Sequence, residues 1–208
     1  MARRQSKALQ SELRERLAQE SARLMIEHGI VDFGLAKRKA ADNLSVAGLG
    51  GLPSNSQIEA CLAERQRIFE PDGHADRLRQ FRDLALGLMR QLVAFEPRLT
   101  GPVLAGTATN NSRIELHVFA TSPEIVGTTL ELYGHRPSTC AQRFRFGGGR
   151  QIRVPGYRFQ TDGAAVLMPV FSENGLREAP LSSVDRRPMP RASRRDLEIL
   201  LQSQPANY

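Results

Sequence analysis

The chain has 208 residues, 40% of them hydrophobic and 25% charged, with a net charge of +7. Such a composition suits a globular protein of one substantial domain or two small ones, and no apolar run approaches the roughly 18–20 residues of a membrane span. The charged opening stretch MARRQSKALQSELRERL lacks the apolar core of a secretory signal, and Cys61 and Cys140 form no CxxC pair; a cytoplasmic protein with reduced thiols and no structural zinc is expected.

The first half carries a helical pattern. In SKALQSELRERLAQESARLMIEHG, Leu13, Leu17, Leu24 and His28 lie on one face, and Gly29 is suited to stop the helix. A shorter helix is expected from Asp32, carrying LAKRKAADNL. The glycines and proline of SVAGLGGLPSNS mark a loop. Ser56 followed by Glu59 fits a capping box opening QIEACLAERQRIF, with Ile58, Cys61, Leu62, Ile68 and Phe69 as its apolar face and EPDG as its end. The next helix is the best defined, with Leu78, Phe81, Ala85, Leu88, Leu92 and Phe95 in steps of three and four before Pro97.

After Pro97 the period changes. PVLAGT and RIELHVF are expected to be strands, the second alternating Ile114, Leu116 and Val118 against Arg113, Glu115 and His117. Ser122-Pro123-Glu124 opens another helix that ends near Gly134. Three strands follow in AQRFRF, QIRVPGYRF and AAVLMPVF, the first two joined at Gly147-Gly148-Gly149. An irregular proline-rich tail precedes a last helix at RRDLEILLQ. The expected class is α+β: a helical N-terminal region over residues 1–96, then a small mixed or antiparallel sheet with flanking helices over residues 97–208.

The stretch TGPVLAGTATNNSRIELHV, Thr100 to Val118, resembles the nucleotidyltransferase superfamily, which unites polymerase β-like and minimal nucleotidyltransferases. Members place a Gly-Ser turn after a helix, then about ten residues rich in Gly, Thr and Ala, then Asp-x-Asp on a strand. Gly101 aligns with the turn glycine, Gly106-Thr107-Ala108 with the middle segment, and Ser112 with the residue before the first acid. The resemblance implies a triphosphate approached closely by the turn. It also implies two carboxylates on one strand face which, with a third acid nearby, hold two magnesium ions. The chain departs from this pattern at three places. Pro102 replaces the serine, Arg113 replaces the first acid with Glu115 at the second, and Ala164 to Phe171, where the third is sought, is wholly apolar. Asp162 lies just before it. A guanidinium cannot ligate a metal, but it can neutralise Glu115 or bind phosphate.

A shifted register pairs Glu115 with His117 on one face, a pair able to bind a transition metal. A solvated strand face of Arg113, Glu115 and His117 is the structural alternative. A second signal is local charge: from Arg136 to Thr161 there are six arginines and no acid. Arg143 and Arg145 alternate with Phe144 and Phe146, and Arg158 alternates with Tyr157 and Phe159. The expectation is one face burying aromatics and the other, with Arg153, offering guanidinium groups to phosphate; exposed arginines that only deter edge pairing are the alternative.

Several classes are excluded cheaply. There is no GxxxxGK[ST] phosphate loop, no GxSxG elbow and no metalloprotease histidine pair, and GGGRQI leads into a strand rather than a helix. The N-terminal helices loosely match the first two of a helix-turn-helix repressor, but AGLGGLPSN stands where recognition would sit, so DNA is not the expected partner.

Three functions remain. The favoured one is a degenerate nucleotidyltransferase that binds nucleotide or RNA phosphate without a cofactor. Its binding residues would be Gly101, Gly106, Thr107, Ser112, Arg113, Arg143, Arg145, Arg153 and Arg158. The second is an active, magnesium-dependent nucleotidyltransferase with Glu115 and His117 as catalytic residues and Asp162 in support. The third is an interaction module whose N-terminal helices bind a protein partner beside an inert site.

Overall fold

In the computed structural model, which describes residues 2–46, 51–69 and 71–203, the chain forms an α+β protein with helices first and a mixed sheet after them. It divides into two compact units, residues 1–74 with 109–111 and 183–185, and residues 75–108, 112–182 and 186–208. Among the described residues no helix is long and apolar enough to cross a membrane.

The first unit holds α1 (Ala2–Glu27), α2 (Phe33–Asn43) and α3 (Asn55–Phe69). Its core is Leu17, Ala22 and Leu24 of α1, Ala36 and Ala40 of α2, and Ile58 and Leu62 of α3, with small alanines letting the helices approach closely. Asp32 caps α2, its carboxylate accepting from Leu35 N at 2.6 Å. The cap of α3 lies two residues earlier than expected. Ser54 Oγ accepts from Gln57 N (3.1 Å) while Gln57 Oε1 accepts from Ser54 N (2.9 Å), so Ser54 and Gln57, not Ser56 and Glu59, form the reciprocal box. Ile68, expected on the apolar face, is 53% exposed; the Phe69 side chain and Glu70 lie outside the described residues.

The second unit is built on α4 (Pro71–Gln91), all but its first turn, and a five-stranded sheet. Pro71, expected within a terminating loop, instead opens α4, where its missing N–H costs nothing. The strands are β1 (Arg98–Thr100), β2 (Ile114–Phe119), β3 (Ser138–Arg145), β4 (Gln151–Thr161) and β5 (Ala164–Phe171), in the spatial order β1-β2-β5-β4-β3. Only β2 and β5 are parallel. Between them run α6 (Pro123–Leu132) and the β3–β4 hairpin, and α7 (Arg194–Gln202) ends the described chain. PVLAGT is not a strand. Gly101–Ala105 forms the short helix α5, with Pro102 in its first turn and Gly106 as a left-handed cap.

One sheet face buries Ile114, Leu116, Val118, Val166, Met168 and Phe159 in a core with Leu88 of α4, Leu92 just after it, Leu130 of α6 and Leu197 of α7. On the other face Phe119, Phe144, Phe146, Val154 and Phe171 form a second cluster. Segments 172–182 and 186–192 pack against the sheet beside this second cluster. Gly175 packs against Phe171 and Phe119, Leu181 N donates to Arg145 O (2.6 Å), and Ala192 exchanges two 2.9 Å hydrogen bonds with Leu99.

Candidate functional site

Residues directly opposite one another in neighbouring strands share a face of the sheet. On that rule Thr100, Glu115, Leu167, Arg158 and Ser138 form one row across all five strands. The row lies on the face of Phe144 and Phe171, at the end that begins with Gly101. Gly101 fits there for two reasons. Its φ is +70°, and an added Cβ would stand 2.7 Å from Glu115 Oε2 and 2.9 Å from its Cδ. Only glycine satisfies both the turn and the close approach of the carboxylate.

Glu115 is held from the side as well. Arg113 Nε donates to Glu115 Oε1 at 3.3 Å, with the two side chains 43% and 22% exposed. In this wet setting the pair contributes at most about 1 kcal/mol to stability, so its consequence is chemical: the carboxylate has a cation at hand. Leu167 stands directly beside Glu115, where a third acid would complete a metal site, and is 6% exposed. Cys140, half-buried on β3, reports that the basic groups converge here. Burial raises its thiol pKa, while Arg158 and Arg113 pull it back down.

His117 shares the face of Glu115 but is not solvated, being 1% exposed. Its ring lies 4.7 Å from Phe171 and 5.4 Å, edge-on, from Phe144. Arg191 Nε donates to its Nδ1 at 3.2 Å, and Arg191 Nη1 donates to Gly175 O at 2.8 Å. The Arg191 guanidinium lies 5.2 Å from the Phe119 and Phe171 ring centroids, a cation–π arrangement. Burial, reinforced by the charge of Arg191, pushes the His117 pKa down to about 3. The ring is therefore neutral, with its hydrogen on Nε2 and its Nδ1 lone pair already used. A magnesium ion would find poor donors here. Glu115 is shared with Arg113, His117 is shared with Arg191, and Leu167 offers no oxygen.

The remaining motif residues are placed elsewhere. Ser112 is half-buried just before β2. Gly106 and Thr107 lie at the far end of α5, where both backbone N–H groups donate to Pro102 O at 2.9 and 3.0 Å. An added Cβ at Gly106 would meet Arg82 Nη2 and Leu78 of α4 rather than Glu115. Arg82, 3% exposed, donates to Val103 O (3.1 Å) and Leu104 O (3.3 Å). It thereby holds the carbonyl end of α5, and through it the Gly101 turn. Arg82 was not foreseen; the signal was a charged residue four after Leu78 and three before Ala85, on the inward face of α4.

The hairpin arginines do not form one face. Arg143 stands opposite Arg153 and Arg145 opposite Gln151, on the same side as Tyr157, and all three arginines are exposed. Arg158 stands opposite Ser138, on the side of Phe144 and Glu115. The register explains the split: Phe144 pairs with Ile152, so even-numbered positions of both strands share the aromatic face. The structure thus gathers Gly101, Arg113, Glu115 and Arg158 into one open patch and places Arg143, Arg145 and Arg153 on the reverse side. Among the described residues no group of three metal-ligating side chains occurs. No family model, curated protein or solved structure matches the chain.

Proposed function

We propose that the protein binds the phosphate groups of a nucleotide or RNA, with arginines supplying the positive charge, on a degenerate nucleotidyltransferase-like scaffold. The observation that carries this reading is the facing pair Arg143 and Arg153, with Arg145 beside it, on an exposed sheet surface. Among the described residues none of the three has an acidic partner within ion-pair distance. Like charges directly opposite one another cost about 0.2–1 kcal/mol. A phosphate bridging them turns that repulsion into charge-assisted hydrogen bonds. The patch at Glu115 supports the same reading from the other side. Arg113 occupies the position of an acid in the resembling family and lies on the remaining carboxylate, and Arg158 extends the row.

Fluorescence anisotropy with a labelled single-stranded RNA, repeated at several salt concentrations, tests the proposal. Binding should weaken as salt rises. Arg143→Ala with Arg153→Ala should lower the affinity and make the salt slope shallower, by roughly one for each phosphate that is no longer neutralised. Salt-independent binding, or a double variant that binds like the parent, would refute it.

A further inference from the structure

On the helix side of the sheet, α4, His135 and the β4–β5 turn line an open cleft of about 510 Å3, within the range of small-molecule sites. Gly87 forms part of its floor, with Leu84 and Leu88. Gly87 lies four residues before the end of the 21-residue α4, and a glycine within a helix weakens it relative to alanine. Packing does not require it, since nothing lies within 4 Å of where its Cβ would stand. The space a side chain would fill is the cleft itself.

The charge of the cleft runs against that of the protein. The chain has 29 lysines and arginines against 22 acids, yet the lining includes Asp83 and Asp162 and no lysine or arginine. Arg79 approaches Asp83 only to 3.9 Å, and the Asp83 side chain is 57% exposed. At neutral pH the burial of His135 favours its uncharged form. Its Nε2 lies 3.0 Å from Gln91 Oε1, and the ring rests 5.0 Å from Phe159. Burial lowers its pKa against the opposing pull of Asp162.

We propose that this cleft binds a small planar organic cation of the amidinium or guanidinium class, its flat body on Gly87, Leu84 and Leu88 and its N–H groups on Asp83 and Asp162. A carboxylate accepts two parallel N–H bonds from such a head, and the apolar floor removes the flat body from water. This site is independent of the phosphate-binding reading, since it uses none of those arginines.

Benzamidine is the probe, with isosteric benzoate as the anionic control, titrated into the 15N-labelled full-length protein at millimolar concentration. Benzamidine should shift the amide signals of Gly87, His135 and Asp162 in a saturable manner, and benzoate should not. Gly87→Leu projects a side chain into the cleft from a Cβ position with nothing within 4 Å and favours the helix. Asp162→Asn retains a residue tolerant of the left-handed φ of +45° at that position. Each should weaken benzamidine binding about tenfold or more. Absence of saturable shifts, equal binding of benzoate, or full affinity in Gly87→Leu would overturn the proposal.

Discussion

Acid should destabilise the sheet unit above all through His117. Its folded pKa of about 3 lies well below the ordinary 6.5. Between those values the unfolded chain carries a proton that the folded chain lacks. Stability therefore rises with pH across this window and is lost as pH falls from 6.5 toward 3. At about 1.4 kcal/mol per unit the full difference is about 5 kcal/mol, of which roughly 2–3 kcal/mol is lost by pH 4.5. Solvent screening offers little relief, because the ring is 1% exposed and the neighbouring charge, Arg191, is of the same sign as the added proton. The assay is urea unfolding at a series of pH values, followed by circular dichroism and by amide exchange on β2, with His117→Gln as reference. Glutamine retains an acceptor for Arg191 and does not titrate, so its profile should lack this slope. An imidazole that titrates near 6.5 by NMR, or parallel profiles for the two proteins, would refute the reasoning.

Other perturbations have equally definite outcomes. Arg82→Met removes the donors to Val103 O and Leu104 O and should cost about 1–3 kcal/mol in chemical denaturation, with the largest loss of amide protection in α5. Gly156→Ala should be more damaging, about 3 kcal/mol or more, because an added Cβ would collide with Met168 O and lie 2.7 Å from Pro169 Cα, both main chain of β5. The expected readout is a large fall in thermal midpoint; an unchanged midpoint would contradict the β4–β5 register. Ser193→Ala breaks the capping box with Asp196 and should lower stability by about 1 kcal/mol, with faster exchange confined to α7.

Local pattern made much of this fold legible. The alternation along Ile114–Phe119, the Ser122-Pro123 start of α6 and the triple glycine between β3 and β4 are all signals within a few residues, and each element formed where it was expected. Misreadings occurred where two local signals compete. PVLAGT is a short apolar run that periodicity cannot assign, and the proline and glycine at its ends suit a turn of helix better than a strand. Ser54 and Ser56 both precede a suitable partner, and only the chain's entry angle decides between them.

The site was less legible because its environment is non-local. His117 looked like part of a solvated face until Phe144, Phe171 and Arg191 enclosed it, and no spacing along β2 reveals partners so distant in sequence. The division of the arginines depended on register alone, since Arg143 and Arg158 differ in parity only once the Gly147–Gly149 turn has aligned the two strands. At Gly101 the sequence marks a turn, and the structure adds what spacing does not show, the Glu115 carboxylate packed against it.

Calorimetric titration with ATP, with and without magnesium, tests most directly whether arginines carry the function. Binding should occur without the metal, change little when magnesium is added, and weaken when the facing pair is removed in Arg143→Ala with Arg153→Ala. Binding that requires magnesium would contradict this and point to Glu115 as a working metal ligand, and no heat in either titration would contradict nucleotide binding itself.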